Sequence, residues 1–268
     1  MGNNIKKFKS LVLVVACTAV VLATSVTASA ADWGTLKGKF VLVGDAGEPA
    51  PLNVNKDQEF CGKHKLVDES IVVGDDGALA NVFVYLYLKR GKKVDIHPDL
   101  AEPSSDPVVL DNKGCRFEPH VALLRTGQPL EVHNSDKGIG HNTNFTLLKN
   151  PPFNEMVTND SPIKKTMTKA ESYPSSAVCS IHPWMKAHVL VRDNPYMAVA
   201  GADGSFVIEK IPAGEHEFIF WQESKGNLKK LAVGKSKTSS KGRAKLKIPA
   251  GGELDLGVIE VKLSDLGK

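Results

Sequence analysis

Apolar and polar residues alternate with a period of two in several short stretches, each bounded by glycine, proline or asparagine. Residues 35–43 (T-L-K-G-K-F-V-L-V) open the series. Residues 81–88 (N-V-F-V-Y-L-Y-L) form an unbroken β-branched and aromatic run that suits a central strand. Short apolar runs follow at 108–110, 115–117, 121–125 and 130–133, with a T-G-Q-P turn at 126–129. Residues 143–148 predict another strand, and the alternating stretch 178–191 closes this block. Residues 200–221 read as two strands around a turn at 212–214, and 254–263 as a last one. Polar, proline-bearing connections are expected at 89–106 and 150–176. No helical period persists for twelve residues, so the pattern predicts an all-β chain built from sandwiches.

The N-terminus has a different character. Lys6, Lys7 and Lys9 precede an apolar run at 11–22, and Ala28-Ser29-Ala30 supplies a small-residue cleavage site. This is the layout of a secretory signal peptide over residues 1–30. The run is too short for a spanning helix. A lipidation site at Cys17 is the competing reading, with intact mass as the discriminator. The expected product is exported, periplasmic or secreted, without a membrane span.

Removing the signal changes the charge and the cysteine count. It carries three lysines and no acids, so 34 basic residues become 31 against 30 acidic ones. A nearly neutral protein gives no electrostatic reason to expect nucleic acid as a partner. Cys61, Cys115 and Cys179 remain. Three cysteines in an oxidising compartment suggest one disulfide and one cysteine with another task. If Cys179 binds metal, Cys61 and Cys115 are the pair; two buried free thiols are the alternative.

That other task is suggested by V-C-S-I-H-P-W-M at 178–185. Cys179, His182 and Met185 offer a thiolate, an imidazole and a thioether within seven residues, and His141 stands upstream in G-H-N-T-N-F. Two imidazoles, a thiolate and a weak axial sulfur are the donor set of a mononuclear blue-copper site. Zinc is the competing metal, since one Cys and two His also suit it. His120, His133 and His188 lie nearby and read as packing or surface residues, while His64, His97 and His216 receive no role. No H-x-H pair, G-x-S-x-G, H-E-x-x-H or P-loop pattern occurs.

Residues 108–191 resemble a cupredoxin, a Greek-key β-sandwich. C-S-I-H-P-W-M is most similar to the short ligand loop of amicyanin- and plastocyanin-like members, and G-Q-P-L-E-V-H-N-S-D with G-H-N-T-N-F to the region of the first ligand. The resemblance implies one copper held by His141, Cys179, His182 and Met185, with Asn142 tying the two ligand loops together. It also implies that His182 lies near the surface as the electron exit, with Pro183 and Trp184 as an apolar surround. Residues 34–41 with 80–86, and 202–221, resemble the strands of a carboxypeptidase regulatory-like (transthyretin-like) sandwich. The expected organisation is a cupredoxin domain at 106–195 between two parts, 33–95 and 196–268, of a second, smaller sandwich. The alternative is an N-terminal extension followed by a separate C-terminal sandwich.

The expected function is one-electron transfer by a protein that is not itself an enzyme, between redox proteins such as a c-type cytochrome or a dehydrogenase. A copper storage, sensing or structural adhesion module is the second reading. The lysine-rich stretch 225–247, with nine basic residues and no acids, is expected as a solvated hairpin, with docking of an acidic partner as its alternative.

Overall fold

The computed structural model describes residues 1–2 and 33–268. The expected signal peptide, apart from residues 1–2, and Cys17 lie outside these residues. Every described helix is a single short turn, the longest being Gln58–Cys61 and Leu263–Leu266, and none could cross a membrane. The molecule is all β.

Two sandwiches account for most strands. In the first, a five-stranded sheet runs in the order Val121–Arg125, Lys186–Arg192, Ser175–Val178, His141–Phe145, Phe153–Val157. A four-stranded sheet, Phe117–Glu118, Val108–Asn112, Pro129–Asn134, Ile163–Thr166, faces it. Leu110, Leu130 and Val132 of one sheet and Leu124, Phe145, Ala177 and Val189 of the other share one buried core. The chain passes repeatedly between the two sheets, so neighbouring strands within a sheet come from distant parts of the sequence.

In the second sandwich, Trp33–Val43 lies between Ser205–Pro212, its antiparallel partner, and Glu253–Lys262, its parallel one. The facing sheet places Phe83–Tyr87 between Met197–Val199 and Gly214–Gln222, and Gly214–Gln222 also pairs with Arg243–Ile248. Strands from before residue 95 and after residue 196 therefore build one core around Phe40, Val84, Phe206, Phe220 and Ile259.

The sandwiches also pack on each other, which explains the apolar run at 81–88. Side chains alternate across a strand. Val84 and Leu86 enter the core of their own sandwich, while Phe83 and Tyr85 turn the other way. Those two meet Val121 and Leu190 of the five-stranded sheet, beside Ile219 and Trp221. A strand covered on both faces needs apolar residues at every position.

Some expectations shift. Residues 150–176 contain two strands, Phe153–Val157 and Ile163–Thr166, where a plain connection was expected. The strand expected at 143–148 starts earlier, at His141. The basic stretch is partly a core strand, because Ala244, Leu246 and Ile248 are buried while Lys245 and Lys247 point outward.

Candidate metal centre

Strand pairing brings the candidate ligands together. Ser175–Val178 pairs antiparallel with His141–Phe145 on one side and Lys186–Arg192 on the other. Cys179 immediately follows the first of these strands, and Met185 immediately precedes the third. The loop between them is tight: Cys179 N–H donates to the Met185 carbonyl at 3.2 Å, and Met185 N–H donates to that of His182 at 2.9 Å. Cys179 and Met185 are 1% exposed, and His141 and His182 are wholly buried.

The donor atoms converge. Cys179 Sγ lies 4.0 Å from His141 Nδ1 and 3.7 Å from His182 Nδ1, and the two Nδ1 atoms are 3.0 Å apart. Metal bonds of about 2.0 Å to nitrogen and about 2.3 Å to sulfur in a trigonal plane give donor separations of about 3.5–3.7 Å. The triangle fits one ion with small adjustments. Met185 packs in the same core cluster as Cys179.

The far side of each imidazole fixes its tautomer. His141 Nε2 is 2.9 Å from Asp136 Oδ2, and His182 Nε2 is 2.7 Å from Asp57 Oδ2. A carboxylate only accepts, so each Nε2 carries the proton and, in the neutral rings, each Nδ1 presents a lone pair. Two nitrogens facing each other at 3.0 Å beside a thiolate can share a proton or, with small adjustments, hold a cation. Burial alone would raise the Cys179 thiol, but hydrogen bonding from His141, Asn142 and His182 outweighs it and holds it at about 6. Burial works to depress His141, yet Asp136 and Cys179 raise it above its ordinary value. Asp136 is held below the usual carboxylate range: its burial is outweighed by the His141 bond and by the backbone N–H groups of Cys115 and Gly114. The metal-free cluster therefore favours a thiolate against a protonated imidazole.

Asn142 joins the two ligand segments. Its Oδ1 accepts from Ser180 N–H at 2.8 Å and Ile181 N–H at 3.3 Å, and lies 3.4 Å from Cys179 Sγ. Its Nδ2 donates to Asn154 Oδ1 at 2.5 Å and Ser180 Oγ at 3.2 Å.

The surface position implied for His182 is corrected. The imidazole is covered by a segment outside the stretch that carries the cupredoxin resemblance. Leu52 N–H bonds to the Leu66 carbonyl and Asp68 N–H to that of Ala50, closing residues 50–68 into a loop. Cys61 in this loop is bonded to Cys115 by a disulfide. The indole N–H of Trp184 donates to the Cys115 carbonyl at 3.0 Å, so Trp184 packs beneath this cover with Phe60 and Leu66. Pro183 remains exposed. Asp57 and Asp136 were not singled out from the sequence. The only pointers to them are Cys61 four residues after one and the N-S-D segment containing the other.

Of the other histidines, His120 and His188 bracket Glu223. His120 Nε2 lies 2.5 Å from one carboxylate oxygen, and His188 Nε2 lies 3.3 Å from the other. His133 pairs with Glu131 at 2.9 Å in a half-exposed position. Cys115, Asp136 and His141 also cluster, but the disulfide removes Cys115 as a donor.

No protein-family model matches the chain, and no curated protein matches it. Among solved structures, it is similar to a Cu-containing nitrite reductase (NirK) from Thermus scotoductus SA-01. The identity is 26% over 37% of this chain and 27% of that one, with a TM-score of 0.30. It is also similar to amicyanin: a reduced mutant and an oxidised mutant are each 22% identical, over 34% of this chain and 87% of theirs, with TM-scores of 0.29. The chain thus spans about a quarter of the nitrite reductase it resembles.

Proposed function

We propose that this is an exported mononuclear type 1 (blue) copper protein that carries single electrons and turns over no substrate of its own. The observation that carries the reading is the buried triangle of Cys179 Sγ, His141 Nδ1 and His182 Nδ1. Both imidazoles are fixed from behind by aspartates, so their lone pairs converge beside the thiolate. Soft sulfur with two imidazoles favours copper over hard cations. Met185, buried in the same core cluster as Cys179, would be the fourth donor. Copper, when bound, supplies the one-electron couple. The protein holds the donors, excludes water from them and restrains their rearrangement between oxidation states through Asn142 and the two aspartates. The Cys61–Cys115 disulfide supports an oxidising compartment, periplasmic or extracellular. The copper sandwich is read as an insertion, residues 106–195, in the smaller transthyretin-like sandwich, and the redox partners as a c-type cytochrome or a dehydrogenase.

A second reading has an observation of its own. The cover over His182 removes the exposed imidazole edge through which a docked partner would exchange electrons directly. That favours copper storage or sensing, or a structural adhesion module.

Titration of the mature protein with Cu(II) separates these readings. The electron-carrier reading expects an intense visible thiolate-to-copper band and narrow EPR hyperfine splitting, both lost in Cys179→Ser. It also expects rapid reduction and reoxidation by c-type cytochromes. A colourless protein that retains zinc would overturn the copper reading. A blue site inert to every redox protein tried would leave storage or sensing.

A further inference from the structure

Away from the metal centre, the seam between the sandwiches holds a cavity of about 420 Å³. Six cationic side chains line it: Lys89, Arg90, Lys92, Lys149, Arg192 and Arg243. Asp193 is the one acidic residue on its wall. Among the described residues, none of these six cations forms an ion pair, although lysines and arginines elsewhere do so repeatedly. Uncompensated positive charge gathered in a concave place is an arrangement suited to an anion.

The buried polar atoms give an independent indication. The Tyr85 hydroxyl, Arg192 Nε, Arg243 Nε and Asn227 Oδ1 are all buried without a hydrogen-bond partner, and all four residues line this cavity. Tyr85 is wholly buried and Arg192 is 8% exposed. Unsatisfied buried donors are costly and uncommon, so several around one space indicate a missing acceptor. Three of the four atoms are donors. Burial raises the Tyr85 phenol well above its usual range, which keeps its proton in place for donation.

The groups are also pre-positioned. Arg243 stacks on the Tyr87 ring, with its guanidinium carbon 3.4 Å from the ring centroid. Arg192 is anchored by bonds from Nη1 to the Glu171 carbonyl at 2.9 Å and from Nη2 to the Leu86 carbonyl at 3.3 Å, which leaves Nε free. Fixed guanidiniums with a phenolic donor match the oxygens of a phosphate or carboxylate.

We infer that this cavity is a binding site for a small, multiply charged oxyanion, with Tyr85, Arg192 and Arg243 as its recognition groups and the surrounding lysines drawing the ligand in. Phosphate and carboxylate ligands share this chemistry. Because the groups come from both sandwiches, the ligand would bridge the seam.

Calorimetric titration of the full mature protein, copper-loaded, with pyrophosphate and separately with citrate tests this. Saturable one-to-one binding of either is expected, and whichever binds more tightly names the source. Arg243→Gln should weaken that binding about tenfold. Tyr85→Phe should weaken it as well without lowering the ligand-free melting temperature, because the buried hydroxyl has no partner within the protein. Lys247→Gln, in the same basic stretch but outside the cavity, should have no effect. Absence of saturable binding by both anions would overturn the inference. So would equal weakening by Lys247→Gln and Arg243→Gln, since that would mean diffuse charge attraction.

Discussion

Asp57 and Asp136 do the same task on different rings: each accepts a hydrogen bond from the remote nitrogen of an imidazole whose other nitrogen faces Cys179. Carboxylates in this position orient a ligand and raise its basicity. Asp57→Ala should therefore weaken Cu(II) binding about tenfold and raise the reduction potential, as measured by competition titration and voltammetry. The thiolate can be followed without metal. With the Cys179 thiol at about 6, the metal-free protein should lose its ultraviolet thiolate absorbance on acidification through that value. An exposed cysteine would lose it near about 8.5. The sign for stability follows: the thiolate contributes fully above the unfolded thiol's value, and its contribution disappears as pH falls through about 6. The four candidate positions stand out in the sequence because type, order and spacing occur together, and the fold gathers the donor atoms of His141, Cys179 and His182. Asp57 does not stand out, because a single aspartate in a polar segment differs from its neighbours only once the chain has folded over His182.

The element that distinguishes this centre is the loop at 50–68, fastened by the Cys61–Cys115 bond. Closing a loop with a sequence separation of 54 stabilises the fold by roughly 4 kcal/mol on the chain-entropy model. Cys61→Ala combined with Cys115→Ala should thus lower the unfolding free energy, read from a denaturant titration, by an amount near that figure. The blue band, whose donors are all elsewhere, should persist. The same variant should exchange electrons faster with small inorganic reagents, measured by stopped flow, since a loosened cover exposes the His182 edge. Secondary-structure patterning was uneven at this scale. Strands such as Phe83–Tyr87 and Gly214–Gln222 lie within a sheet and show their character in runs of β-branched and aromatic residues. Phe153–Val157 and Ile163–Thr166 each pair on one side only, at a sheet edge, and their middle residues are largely exposed. Only their ends, at Val157 and Ile163, are buried in the core, so such strands carry little apolar alternation.

Across the molecule, the two sandwiches are joined by side chains rather than by a flexible tether. Leu190 is wholly buried at the seam against Phe83, Tyr85 and Trp221. Leu190→Ala should cost about 3 kcal/mol, seen as a lower temperature for a single calorimetric transition with the copper spectrum unchanged. Two separate transitions in the wild-type protein would contradict this degree of coupling. The all-β class was readable from alternation throughout. The contact between sandwiches was not, because the doubly covered strand at 81–88 has the same pattern whichever layer covers its second face.

The order of the cysteines along the chain has a consequence for maturation. In a polypeptide threaded through a membrane N-terminus first, Cys61 and Cys115 reach the oxidising side before Cys179 does. They can join while the later thiol is still inside, which withdraws both from mispairing with it. When Cys179 emerges, it is the one free thiol among the described residues. Under the proposed function, oxidation and metal loading would then have separate substrates, and neither step would have to be undone for the other to proceed.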